Sequence, residues 1–210
     1  MLTEPGDRRP IAAREWRPIQ AAASWLVEHR ASPNGISAAG MVAAILAGLL
    51  FAATPLTPHA WAPWLCGAVL VQLRLLANVL DGMVALGRGV ASPVGELYNE
   101  VPDRISDTAV LAGVGYAAGD PALGWAAALL AMLTAYVRAT GRAAGGPSDF
   151  RGPMAKQQRM ALVTALAVFC AAAPLAWAPP AATAVLWVVA AGSAVTAARR
   201  LAGIGRALRR

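Results

Sequence analysis

The chain has 210 residues, 58% of them hydrophobic and only 14% charged, and its net charge of +7 is carried by arginine and a single lysine. A soluble domain carries about 25% charged residues, and apolar runs of roughly 18 residues or more recur here along the whole length, so the main solvent is lipid and no second soluble domain has room. The basic excess is the bias of loops on the cytoplasmic side of a membrane, and no soluble basic module accompanies it, which excludes nucleic acid as a partner.

Residues 1–32 read as a cytoplasmic N-terminal segment without the apolar core of a cleaved signal. Within it, PIQAAASWLVEHR predicts a short amphipathic juxtamembrane helix on the membrane surface. Pro18 suits its first turn, and Ile19, Ala22, Ala23 and Leu26 share one face. Six transmembrane helices are expected within 33–204, at about 35–53, 61–86, 93–118, 121–137, 160–177 and 181–198, and 205–210 form a basic tail. The fold class is therefore an all-α integral membrane bundle.

Loop charges test that count. Arg8, Arg9, Arg14, Arg17 and Arg30 precede the first span, and the TPLTPH loop has no Arg or Lys. Arg88 follows the second span, and nothing basic lies near 119–120. The next loop region holds Arg138, Arg142, Arg151, Lys156 and Arg159, and AWAPPA again has none. Arg199, Arg200, Arg206, Arg209 and Arg210 end the chain. This alternation predicts six spans with both termini cytoplasmic, and Trp61, Trp64, Trp125 and Trp177 read as an aromatic belt at the opposite interface. Cys66 and Cys170 lie in apolar runs and read as small buried hydrophobes.

Charge inside a membrane costs at least ~2.5 kcal/mol per group near a helix centre, so it needs a partner or a function. Here it is concentrated in two adjacent segments. In the second span Arg74, Asn78, Asp81, Ala85 and Arg88 stack on one helix face, with Gly82 beside them; in the third, Asn99, Asp103 and Asp107 do the same, near Gly95, Glu96 and Glu100. A short loop makes these helices antiparallel neighbours whose polar faces meet. Carboxylate and amide oxygens suit Mg²⁺ or Mn²⁺, and the absence of nearby histidine disfavours zinc. Gly82 and Gly95 let a phosphate approach the backbone, and Pro102 frees the carbonyl of Tyr98. The plainer reading is that Arg74, Arg104, Glu96 and Glu100 are interhelical ion pairs that stabilise the bundle.

The stretch N-V-L-D-G-M-V-A-L, eight residues, then G-E-L-Y-N-E-V-P-D resembles the CDP-alcohol phosphotransferase pattern D-x2-D-G-x2-A-R-x8-G-x3-D-x3-D. Asp81, Gly82, Ala85, Gly95 and Asp103 match at the family's spacing; Asn78 and Asn99 stand where it has Asp, and Leu86 where it has Arg. The resemblance implies a six-span enzyme with a juxtamembrane helix, in the plasma membrane, usually a homodimer. It implies transfer of a substituted phosphate, probable donor group phosphatidyl, from a CDP-linked lipid such as CDP-diacylglycerol to an alcohol, with release of CMP, in phospholipid biosynthesis. It further implies metal ligation by Asn78, Asp81, Asn99 and Asp103, and Asp103 as the base; Glu100 or Asp107, the latter as a further metal ligand, is expected to restore some of the lost charge. The nucleotide is expected against Gly82, Ala85 and Gly95, with Arg88 replacing the missing arginine. Arg138, Lys156 and Arg159 are expected to hold a small or phosphorylated acceptor alcohol. The family's site is meant to hold two dications, and the loss of two acidic positions points here to a single tight metal. The competing reading is a non-enzymatic membrane protein, either a divalent-cation transporter or an inactive scaffold.

Overall fold

A computed structural model describes residues 12–209, and every regular element among them is helical. Arg8, Arg9 and Arg210 lie outside the described residues, as do the side chains of Pro93 and Glu96. The α-helices are α1 (Arg17–Glu28), α2 (Pro33–Ala53), α3 (Trp61–Gly87), α4 (Pro93–Ala117), α5 (Pro121–Ala143), α6 (Lys156–Ala172) and α7 (Ala178–Ala207).

Three of them start in the same way. Ser32, Ser92 and Asp120 are N-caps whose side chains accept from the backbone N–H of Gly35, Gly95 and Leu123 at 3.3, 3.1 and 2.9 Å, and each is followed by proline. The cap satisfies an orphan donor and the proline removes one, so the start of each helix is locally encoded.

Of the six expected spans, α2, α3, α5 and α7 are long and apolar enough to cross a membrane, which makes this a multi-pass membrane protein. The other two fall outside that class for different reasons. The 25-residue α4 carries Glu100, Asp103, Arg104 and Asp107, and α6 has 17 residues.

Lipid is as apolar as leucine, so bundle packing relies on close backbone approach at small residues. Helix α4 lies against α2, α5 and α7. A Cβ on Gly48 of α2 would collide with the carbonyl of Ala109 in α4, and one on Gly113 would collide with the backbone of Gly48. These glycines let the two helices touch backbone to backbone. The apolar core continues through Phe51, Trp64, Val71, Leu111 and Leu186. Trp64 therefore departs from the expected aromatic belt: it is fully buried, its ring centroid 5.1 Å from that of Phe51, whereas Trp61, Trp125 and Trp177 are exposed. Cys170 is buried as expected, but Cys66 is exposed because its helix face looks outward.

Helix α1 packs on the C-terminal end of α3, where a Cβ on Gly87 would meet Val27 at 2.8 Å. The loop between α5 and α6 is tied down by Arg200, which donates to the carbonyls of Thr134, Arg151 and Phe150 at 2.8, 3.0 and 3.3 Å. In that loop the side chain of Arg151, together with its backbone N–H, holds the Asp149 carboxyl below the usual carboxylate range against the opposing effect of burial.

Candidate active site

The polar residues meet at one end of the bundle. The start of α2, the C-terminal part of α3, the N-terminal half of α4 and the first turn of α6 all lie there, and Ser37, Arg74, Asn78, Asp81, Asn99 and Asp103 line one cleft. The helical spacing of 74, 78 and 81 and of 99, 103 and 107 aligns each set on its own helix. Antiparallel packing then turns the two sets toward each other.

Asp103 is the hub. Its Oδ1 accepts from the guanidinium of Arg74 and from Asn78 Nδ2, the latter at 3.1 Å. Its Oδ2 accepts from Lys156 Nζ at 2.6 Å, with Arg104 at 3.7 Å. Asn78 also donates to Asn99 Oδ1 at 2.8 Å, and its own Oδ1 accepts from Lys156 at 2.9 Å. Both N–H donors and the oxygen of Asn78 are thus engaged, an arrangement a carboxylate at 78 has no donors to reproduce. Asp81 is buried alongside, accepting from the Ser37 hydroxyl through Oδ2, while its Oδ1 has no hydrogen-bond partner among the described residues.

That orphaned oxygen tests the metal expectation. An unpartnered buried carboxylate oxygen is costly, and one hard cation would relieve it. The donor set fits one such ion at Asp81, with oxygens of Asn99 and Asp103 in the same cleft and the Asn78 oxygen already accepting from Lys156. It does not fit two. Asp103 is already held by two cationic side chains, so it has little charge left to offer a second ion.

The remaining expected residues divide. Gly82 and Ala85 follow Asp81 on α3, and Gly95 sits in the first turn of α4 with its N–H on Ser92. Arg138 pairs with Glu100 and lies 5.1 Å over the Phe150 ring; Glu100 also takes Arg104 at 3.2 Å. Arg159 and Asp107 are not in the cleft. They form a buried pair at 2.6 Å, and Arg159 also donates to the Met154 carbonyl at 2.8 Å. The structure thus sets Asp107, expected at the metal, and Arg159, expected at the acceptor, against each other away from the cleft lining, with Asp107 Oδ1 buried and without a hydrogen-bond partner among the described residues. Arg88 is turned away as well, donating to the carbonyls of Arg30 and Ala31 at 3.1 and 2.7 Å. It fixes the α1–α2 linker, where Arg30 has a left-handed φ of 52°.

Two residues escaped the sequence reading. Arg14, read only as a loop charge, brings its guanidinium 3.8 Å from where a Cβ on Gly82 would stand, and its Nε is buried with no partner among the described residues. Ser37, one turn into an apolar helix, binds Asp81. Neither carries a local pattern; Arg14 lies 68 positions from Gly82 in a segment without a motif.

No family model matches the chain. It is 32% identical over 189 residues to a phosphatidylinositol phosphate synthase of Mycobacteroides abscessus, covering 85% of this chain and 80% of that one. It is 30% identical over 210 residues to the synthase of Mycobacterium marinum, covering 96% and 84%. The crystal structure of Mycobacterium tuberculosis phosphatidylinositol phosphate synthase with CDP-DAG bound has a TM-score of 0.75 at 25% identity, covering 90% of this chain and 94% of that one. A structure of that enzyme in complex with manganese and citrate shares the fold at 24% identity, with a TM-score of 0.75 over 89% and 88% of the chains. By full-length sequence similarity at this level, and by the family-spaced Asp81, Gly82, Ala85, Gly95 and Asp103, of which Asp81 and Asp103 line the cleft, the chain belongs to the CDP-alcohol phosphotransferase family.

Proposed function

We propose that the chain is a membrane phosphotransferase of phospholipid biosynthesis that moves the phosphatidyl group of CDP-diacylglycerol to the hydroxyl of a phosphorylated acceptor of the inositol phosphate kind, releasing CMP. One observation carries this reading: the family-spaced Asp81 and Asp103 line one cleft with Arg74, Lys156 reaches Asp103 there, and Arg14 lies beside the adjoining Gly82. Fixed cations beside buried carboxylates suit a substrate made of phosphates. The acceptor assignment rests on the named activity of the two synthase relatives.

In this reading the acceptor hydroxyl gives its proton to Asp103 Oδ2, which accepts one hydrogen bond and keeps a lone pair for a second. The acceptor oxygen bonds to the β-phosphorus as the bond from that phosphorus to the CMP oxygen breaks, and CMP leaves with the electron pair. Arg14, beside Gly82, takes the donor-diphosphate role that the family gives to the arginine absent at Leu86. Arg138, paired with Glu100, is the acceptor-phosphate candidate, and Gly82, Ala85 and Gly95 are the nucleotide candidates. A divalent cation, Mg²⁺ or Mn²⁺, held at Asp81 with Asn78, Asn99 and Asp103 nearby, would neutralise charge on the diphosphate. The membrane is the plasma membrane, α4 and α6 complete six spans, α1 lies on the cytoplasmic surface, both termini are cytoplasmic, and the working unit is a homodimer.

The test is CMP release by protein in vesicles containing CDP-diacylglycerol, offered inositol phosphate, glycerol 3-phosphate or inositol. Release with inositol phosphate is expected. Release with none of the three sinks the transferase reading.

A further inference from the structure

The two asparagines that replace family aspartates look at first like lost metal ligands. Their surroundings say otherwise. Asn78 gives its N–H groups to Asn99 and Asp103 and its oxygen to the Lys156 ammonium, so the amide is used completely as an amide. An aspartate at 78 would place a third carboxylate beside Asp81 and Asp103 with nothing to donate.

Charge completes the argument. In the cleft, the carboxylates of Asp81 and Asp103 are matched by the guanidinium of Arg74 and the ammonium of Lys156. With Arg104 3.7 Å from Asp103 as well, three cationic side chains face two carboxylates, so the cluster is already positive by one before any metal enters. A single divalent cation raises it to a charge that complements a diphosphate. A second would add two more positive charges beside an ammonium that is anchored and cannot leave without abandoning Asp103 and Asn78. The side chain of Lys156 reaches this point from the first turn of α6, across 78 residues of sequence from Asn78, and it is the only lysine in the chain. Its ammonium has three N–H donors. Two are taken by Asn78 and Asp103, which leaves one for a phosphate oxygen.

We infer that Lys156 is a tethered cation that replaces one of two divalent metals in this phosphotransferase, with Asn78 and Asn99 as its matching partners. The inference rests on the phosphotransferase reading and deepens it: the ammonium lies between Asp103 and the transferring phosphate, where it neutralises developing charge without exchanging with solvent ions. Asn78, Asn99 and Lys156 form one unit, and changing the amides alone does not open the second metal position.

The experiment counts bound Mn²⁺ by electron paramagnetic resonance titration of the purified full-length protein in detergent, with CDP as the nucleotide probe. One Mn²⁺ per chain is expected for the wild type and for Asn78→Asp/Asn99→Asp. Adding Lys156→Met to that pair is expected to raise the count to two. Two tight ions in the wild type, or none, would overturn the inference. So would a triple variant that keeps the wild-type melting temperature and still binds one. The count needs no turnover, so absence of CMP release ends the transferase reading by a separate measurement.

Discussion

Asp103 and Asp107 lie one turn apart on the same face of α4, yet they occupy different kinds of place. Asp107 faces a single partner, Arg159, at 2.6 Å, and the two are 3% and 1% exposed. Asp103 is 9% exposed, lines the cleft, and gathers Arg74, Asn78 and Lys156 from two other helices. A sealed pair has no path for a ligand, so its energy goes into holding α4 to α6. The Asp103 hub instead borders the cleft, and in the proposed reaction its cationic partners are shared with a substrate phosphate. The same residue type on the same stripe is one half of a closed ion pair at one turn and a cleft-lining hub at the next, and the difference is made by what the neighbouring helices bring.

The sharpest way to break this comparison is to neutralise each carboxylate. Asp103→Asn removes the proposed base and leaves Arg74 and Lys156 without their counter-charge, so CMP release should fall by ~10² to 10⁴-fold. Labelled CDP-diacylglycerol reads it directly. Asp107→Asn should instead leave turnover per folded molecule within a few-fold. Its cost is in stability, about 3–5 kcal/mol, because Arg159 becomes a buried unpaired charge. A thermal melt in detergent measures the loss, and Asp107→Leu/Arg159→Met should recover most of it. Equal loss of turnover in the two single variants would erase the distinction.

The two arginines near α3 sharpen the same contrast on a smaller scale. Arg14→Gln should raise KM for CDP-diacylglycerol by about tenfold or somewhat more, the value of a charge-assisted hydrogen bond. Arg88→Gln should leave that KM unchanged and loosen the docking of α1 by about 1 kcal/mol, seen as earlier proteolysis of the N-terminal segment. The reverse ranking in KM would return the diphosphate role to Arg88.

The smallest effect lies outside the bundle. Asp149 is held by Arg151 below the ordinary aspartate value of ~3.9. A depressed native value means the pair stabilises fully above that range and loses its contribution as pH falls through the lowered value. Arg151 is 78% exposed, so solvent screening keeps the contribution small. Melting curves of wild type and Asp149→Asn should therefore differ slightly at neutral pH and converge in acid. A gap that widens on acidification would reverse the sign.

Much of this protein could be read from the amino-acid order. The proline-marked N-caps at Ser32, Ser92 and Asp120, the apolar lengths of α2, α3, α5 and α7, and the family-spaced stripe from Asn78 to Asp103 are local properties, set by caps, composition and a period of 3.6 residues. A period says which residues share a face. It does not say what that face meets. Only the packed bundle assigned Lys156 to Asn78 and Asp103, Arg159 to Asp107, Arg14 to the flank of Gly82 and Arg88 to the α1–α2 linker. Those pairings depend on helix rotation and separation, which are set partly by backbone contact at Gly48 and Gly113, away from any charge. Long cationic side chains can reach several acceptors within one turn of each other, and the choice among them is made by geometry that no spacing in the sequence records.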